Sequence, residues 1–65
     1  MEKYKYAFFN QIRQIDECEA TTLDEAMKKV GVEQYVVTYQ FPGLAVISPP
    51  KNQFHSLGVK WEEIN

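Results

Sequence analysis

The chain has 65 residues and a formal net charge of −2, and 45% of its residues are hydrophobic and 14% aromatic. A chain of this length has room for one domain, residues 1–65, and its composition excludes an intrinsically disordered protein. The acidic balance argues against nucleic acid as the partner, because phosphate contacts need clustered lysine and arginine.

The chain has few means of cross-linking its fold. It contains one cysteine, Cys18, and one histidine, His55, which excludes a disulfide within the chain and a zinc site with its roughly four ligands. We therefore expect no metal site and no cofactor. Because so small a core is marginally stable without a cross-link, we also expect a homodimer.

Two features bear on where the protein works. A lone cysteine is typical of a reducing compartment, and the N-terminal residues lack the pattern of a signal peptide. No segment approaches the roughly 20 apolar residues of a membrane span. We expect a cytoplasmic protein that does not contact the membrane.

The first third of the chain predicts two strands. Residues 3–9 alternate between two faces, one with Tyr4, Tyr6 and Phe8 and the other with Lys5, Ala7 and Phe9. A turn at Asn10-Gln11 then leads into residues 12–20, which we interpret as an antiparallel strand. Ile12 and Ile15 fall on opposite faces of that strand unless a bulge intervenes, and they also fit a helical stripe. We favour the strand because the helix start signal comes only at Thr22.

A helix is predicted from Leu23 to Val30. Thr22 is a good N-cap, and Glu25 three residues later completes the pattern of a capping box. Apolar residues recur at helical spacing, at Leu23, Ala26, Met27 and Val30. Gly31 suits a left-handed C-terminal cap, with the hydrophobic Val32 beyond it.

Three further strands are predicted after the helix. Residues 34–41 alternate as a half-buried strand, with one face formed by Tyr35, Val37, Tyr39 and Phe41. Pro42-Gly43 predicts a turn into a short apolar strand at 44–48, which Pro49-Pro50 ends. After a loop at 51–56, a last strand alternates Leu57, Val59 and Trp61 and closes with Glu62, Glu63 and Ile64.

These elements predict an α+β fold in one small domain. The expected order is β-β-α-β-β-β, with an antiparallel β-sheet and one helix packed on one face. The aromatic residues exceed what the apolar stripe of one short helix can cover. They are Tyr4, Tyr6, Phe8, Phe9, Tyr35, Tyr39, Phe41, Phe54 and Trp61.

Some of these rings are therefore expected on an open face of the sheet, unless loops fold over them. An open aromatic face suits self-association, docking on another protein, or stacking of single-stranded bases. We select Tyr4, Tyr6 and Trp61 as the aromatic candidates for partner binding. A single-stranded nucleic-acid-binding domain would use the same three rings.

Charge is segregated along the chain. Five acidic residues and no lysine or arginine lie between Gln14 and Met27. Asp24 and Glu25 complement the helix dipole, but Asp16, Glu17 and Glu19 have no such local role. We select these three as contacts for a partner protein with a basic surface.

No pattern in the chain is typical of catalysis. The three glycines fit neither a dinucleotide fingerprint nor a phosphate-binding loop. Acidic pairs such as Glu62 and Glu63 would need a pocket that separates their pKa values. Cys18 and His55 are more simply a core residue and a loop residue, and a minimal hydrolase built on them is our third hypothesis.

We expect a non-enzymatic protein-binding module with no catalytic residues. It resembles in size the small accessory or inhibitor proteins that phages and mobile elements encode, and it would act by occupying a basic partner surface. The alternative is a single-stranded nucleic-acid-binding domain that uses the aromatic residues of its sheet.

Overall fold

The computed structural model describes residues 2–11, 13–32, 34–48 and 56–64. In these ranges the elements follow the predicted order, β-β-α-β-β-β. They are β1 (Lys3–Asn10), β2 (Arg13–Ala20), α1 (Leu23–Lys29), β3 (Val36–Phe41), β4 (Leu44–Ser48) and β5 (Leu57–Ile64). The predicted α+β class, with one antiparallel sheet and one helix, is confirmed.

The strand order across the sheet is β2-β1-β5-β4-β3. Every pair of neighbouring strands is antiparallel. The last strand, β5, lies between β1 and β4, so both ends of the chain contribute central strands. β2 and β3 are the two edge strands, each paired on one side only within the described residues.

A bulge in β2 accounts for the irregular spacing of its apolar residues. Phe8 lies opposite Asp16 and Phe9 lies opposite Gln14, which leaves Ile15 as the extra residue between two register positions. The strand interpretation of this segment is therefore confirmed over Arg13–Ala20. Ile12 lies outside the described residues.

The predicted caps are present at both ends of α1, but the Glu25 carboxylate accepts from the Thr21 hydroxyl at 2.9 Å and not from the backbone N–H of Thr22, as a capping box would require. The Thr22 Oγ1 accepts a hydrogen bond from the backbone N–H of Glu25 at 3.1 Å. At the other end Val32 N–H donates to the carbonyl of Met27 and Gly31 N–H to that of Lys28, which is a Schellman motif. The helix ends at Lys29, one residue before the predicted end, because Val30 takes the C-cap position.

The core lies between α1 and the sheet face that α1 covers. It contains Tyr6, Phe8, Ala20, Ala26, Met27, Ala45, Ile47 and Val59, each at most 3% exposed. The alternation predicted for residues 3–9 is confirmed, because Tyr6 and Phe8 are buried on this face while Lys5 is exposed on the other. Within the described ranges no helix is long and apolar enough to cross a membrane.

The predicted face of the third strand is wrong. The register of β3 shifts between Val37 and Tyr39, so Val37 lies opposite Ile47 on the helix side of the sheet whereas Tyr39 lies opposite Val46 on the other side. A one-residue shift moves every following side chain to the opposite face. The strand also begins at Val36 and is exposed at all six positions, not half-buried, because it is an edge strand beyond the reach of α1.

The remaining predicted strands agree with the structure. Pro42-Gly43 connects β3 to β4 in a hairpin, and Gly43 has a φ of 81°. The carbonyl of Gly43 accepts a hydrogen bond from the backbone N–H of Trp61 at 3.0 Å, which joins the turn to β5. Pro49-Pro50 and, apart from Ser56, the predicted loop at 51–56 lie outside the described residues.

Candidate protein-binding surfaces

The sheet has one face that α1 does not cover, which we call the open face. Its side chains follow from the strand register and are Lys3, Lys5, Ala7, Phe9, Gln14, Glu17, Glu19, Val36, Tyr39, Phe41, Leu44, Val46, Ser48, Lys60, Glu62 and Ile64. Tyr39 is 52% and Phe41 46% exposed. The expectation that one short helix leaves some aromatic rings exposed therefore holds for these two residues, although neither was selected from the sequence.

Apolar and charged side chains occupy different ends of the open face. Tyr39 and Phe41 lie at the β3 end, and their ring centroids are 4.8 Å apart at an interplanar angle of 67°. Carboxylates lie toward the β2 end, where Glu17 and Glu19 project from the edge strand. Lys60 lies between the two ends with its Nζ 5.3 Å from the ring centroid of Phe9, within the range of a cation–π contact.

We call Asp16, Glu17 and Glu19 the acidic edge. All three side chains are exposed on β2, but they divide between the two faces of the sheet. Glu17 and Glu19 lie opposite Ala7 and Lys5 on the open face, whereas Asp16 lies opposite Phe8 on the helix side. The acidic edge is therefore a rim that can be approached from either face.

Two lysines distant in sequence approach the acidic edge, and one of them pairs with a carboxylate. Lys5 Nζ lies 3.5 Å from the carboxylate of Glu17, and Lys29 Nζ donates to the backbone carbonyl of Glu19 at 2.6 Å. Among the described residues, however, the ion pairs are Lys5–Glu17, Lys28–Asp24 and Lys29–Glu25. In that part of the chain no basic group lies within 4.0 Å of the Asp16 or Glu19 carboxylates.

The aromatic residues selected from the sequence lie on the face that α1 covers. Tyr6 is 3% exposed and belongs to the core, so its ring is not part of a contact surface. Trp61 and Tyr4 pack against it, with centroids 5.5 Å and 6.2 Å from that of Tyr6. Burial raises the pKa of the Tyr6 hydroxyl, as expected for a group removed from water.

A carboxylate pair lies beside Tyr4 at the end of the two central strands. The hydroxyl of Tyr4 donates to Glu2 at 2.8 Å, and Glu63 lies opposite Tyr4 on β5. The charge of Glu2 raises the pKa of Glu63, because two nearby carboxylates disfavour each other's ionised form. Sequence spacing paired Glu63 with Glu62, but these neighbours in a strand point to opposite faces.

The thiol of Cys18 is half-buried under α1. Its Sγ lies 3.8 Å from the carbonyl oxygen of Ala26, to which it donates. Burial raises the pKa of the thiol, while Lys29 acts in the opposite direction. Such a thiol is a poor nucleophile at neutral pH. His55, its suggested catalytic partner, lies outside the described residues.

A depression of about 380 Å³ lies on the open face near β1 and β5. It is lined by Lys5, Ala7, Phe9, Gln14, Glu17, Lys60, Trp61 and Glu62. Two lysines and two glutamates in one depression largely neutralise each other, so it favours neither anions nor cations.

Metal-binding geometry is not present in the described part of the chain, where no three His, Cys, Asp or Glu side chains cluster. Comparisons of the chain with models of protein families, with curated proteins and with solved structures gave no match.

Proposed function

We propose that this chain is a non-enzymatic protein-binding module that occupies a basic surface of a partner protein through its acidic edge. It would act in the cytoplasm as a small accessory or inhibitor protein, of the type that phages and mobile elements encode. The supporting observation is the exposed position of Asp16, Glu17 and Glu19 on a strand at the border of the sheet.

The electrostatics of the acidic edge support a basic partner. Three carboxylates lie within four consecutive residues of one strand, and Lys5 pairs with only one of them among the described residues. Their mutual repulsion is an unfavourable contribution to the free fold. A basic partner surface would relieve that repulsion and would also steer the two proteins together at low salt.

Protection of the sheet edge is the simpler role for charged residues on β2. Charges on an edge strand prevent strand addition by other chains, and lysine serves this purpose most often. Protection does not depend on the sign of the charge, yet β2 carries three acids and a single base, Arg13. The excess of one sign favours a contact with a partner of opposite charge.

A charge-neutral variant of the acidic edge tests this proposal. The substitutions Asp16→Asn, Glu17→Gln and Glu19→Gln should leave the fold intact, because exposed ion pairs contribute less than about 1 kcal/mol. The wild-type chain, immobilised in an extract of its source organism, should capture a partner that mass spectrometry identifies. Stopped-flow mixing with that purified partner at about 50 mM salt should then show slower association for the triple variant.

A second triple variant controls for total charge. Glu2→Gln, Glu62→Gln and Glu63→Gln remove the same number of charges beside the inner strands β1 and β5. This control should retain the partner and a near-wild-type association rate. The proposal fails if the two triple variants associate equally fast, or if the captured partner lacks a basic surface.

A further inference from the structure

The two edges of the sheet differ in their chemistry. The β2 edge contains Arg13 and the three carboxylates of the acidic edge, whereas β3, with the sequence VVTYQF, contains no charged residue and no proline. Its four large apolar side chains are all exposed, and they are Val36 at 59%, Val37 at 40%, Tyr39 at 52% and Phe41 at 46%.

An edge strand of this kind is suited to pairing with another strand. A sheet edge presents unpaired backbone N–H and C=O groups, and natural proteins usually block it with charges, proline or bulges. β2 has both charges and a bulge. β3 has only the register shift between Val37 and Tyr39, so the segment from Tyr39 to the turn at Pro42 remains regular.

We propose that two copies of the chain associate by antiparallel pairing of β3 with β3, which joins their sheets into one sheet of ten strands. The proposal concerns the sheet edge opposite the acidic edge and does not depend on the function proposed above. Each copy would use its own β3 in the same way, as a two-fold symmetric interface requires.

The absence of charge on β3 permits a second copy of this acidic chain as the occupant. Two chains with a net charge of −2 repel each other, so an interface between copies is most favourable where neither contributes a charge. Pairing through β3 meets this condition in every register. It also keeps the two acidic edges nine strand spacings apart, roughly 43 Å at about 4.8 Å for each spacing.

The aromatic residues of β3 gain contacts in this arrangement. If the two-fold axis of the dimer runs between the Gln40 residues of the two copies, Tyr39 of one copy lies opposite Phe41 of the other on the open face. The 4.8 Å contact between these rings within one chain would then extend into a cluster of four rings. Cross-strand aromatic pairs stabilise antiparallel sheets, and a second copy offsets the small core of a short chain.

Sedimentation equilibrium of the full chain at about 100 μM tests the proposal, since dimerisation follows mass action. The wild-type chain should sediment with the mass of two chains. Gln40→Lys places two like charges at the centre of the interface and should sediment as one chain. The matched control, Gln14→Lys, introduces the same charge on the opposite edge strand and should remain a dimer.

Circular dichroism during heating establishes that the Gln40→Lys chain is folded. If that variant lacks a cooperative transition, Tyr39→Lys replaces it, because Tyr39 is 52% exposed and lies in the regular segment of the strand. A wild-type mass of one chain refutes the proposal. Equal masses for the β3 variant and Gln14→Lys also refute it, since the copies would then associate through another surface or not at all.

Discussion

Trp61 packs against Tyr6, with ring centroids 5.5 Å apart and ring planes inclined by 33°. The two residues lie directly opposite each other on β5 and β1. This contact brings the two ends of the chain together in the centre of the sheet. It also explains why rings that look suited to binding a partner pack against the core instead.

Met27 should tolerate no charge. It is fully buried at the contact between α1 and the sheet, so Met27→Asp places an uncompensated carboxylate in the core at a cost of about 3 kcal/mol or more. A core of this size rarely supplies more than about 5 kcal/mol of stability. We expect loss of the cooperative thermal transition in circular dichroism.

Lys28→Asp is the matched control for Met27→Asp. It introduces the same side chain one position later, where the native side chain is 70% exposed and pairs with Asp24. The expected loss is about 1 kcal/mol or less. A Met27→Asp chain that melts near the wild-type midpoint would contradict the position of the helix face.

Gly31 should resist substitution for a conformational reason alone. Its φ is 94°, and a Cβ there would meet no atom within 4 Å. Gly31→Ala should therefore destabilise the chain by about 1 kcal/mol through backbone strain, measured by urea unfolding. Gly58→Ala should cost less, because Gly58 lies outside the left-handed region and its Cβ would touch Phe9 at an ordinary 3.8 Å. Equal losses of unfolding free energy in the two variants would show that the left-handed conformation of Gly31 is not needed to end the helix.

Cys18 should react slowly in the folded chain. Burial raises the pKa of its thiol, and only the thiolate is nucleophilic. We would measure the rate of alkylation by iodoacetamide as a function of pH. The pH at which this rate reaches half of its maximum should be higher for the folded chain than for the chain unfolded in guanidinium. A folded chain that reacts faster than the unfolded one near pH 7 would instead indicate an activated thiol, and the hydrolase hypothesis would regain support.

Glu63→Gln should stabilise the chain at pH 7. The neighbouring Glu2 raises the pKa of Glu63 in the folded state, so folding is disfavoured once the pH rises above the unfolded value and both carboxylates ionise. The stabilising effect of the substitution should be largest at neutral pH and should vanish as the pH falls below about 4. Melting temperatures measured across this range give the comparison.

Glu62→Gln is the control for the Glu63 variant. Glu62 lies opposite Lys5 on the other face of the sheet, so its removal should bring no gain in melting temperature at pH 7. If both variants raise the melting temperature equally, the gain comes from the lower net charge of the whole chain and not from the contact between Glu2 and Glu63.

Local sequence signals were sufficient to predict those structural features whose physical cause lies within a few residues. Thr22 and Gly31 mark the ends of α1 because a cap satisfies backbone groups within a few residues of itself. Pro42-Gly43 marks the hairpin for the same reason. The α+β class and the order of the elements follow from such signals together with the period of the apolar residues.

The positions of the candidate surfaces depended on pairing between distant segments. β5 inserts between β1 and β4, which places Trp61 beside Tyr6 on the helix side of the sheet. Lys5 on β1 approaches Glu17 on the neighbouring strand β2, so a segment that lacks lysines in sequence does not lack them in space. Neither contact is encoded in the spacing of neighbouring residues.

The sequence by itself determined the element types, the helix caps and an excess of aromatic rings. Only the tertiary structure decided which rings are exposed. The register shift between Val37 and Tyr39 reverses the faces of β3, and the strand order makes β3 an uncharged edge and β2 an acidic one. The physical reason is that sheet pairing selects among registers by contacts summed over the whole domain, whereas each residue's own pattern is compatible with several of them.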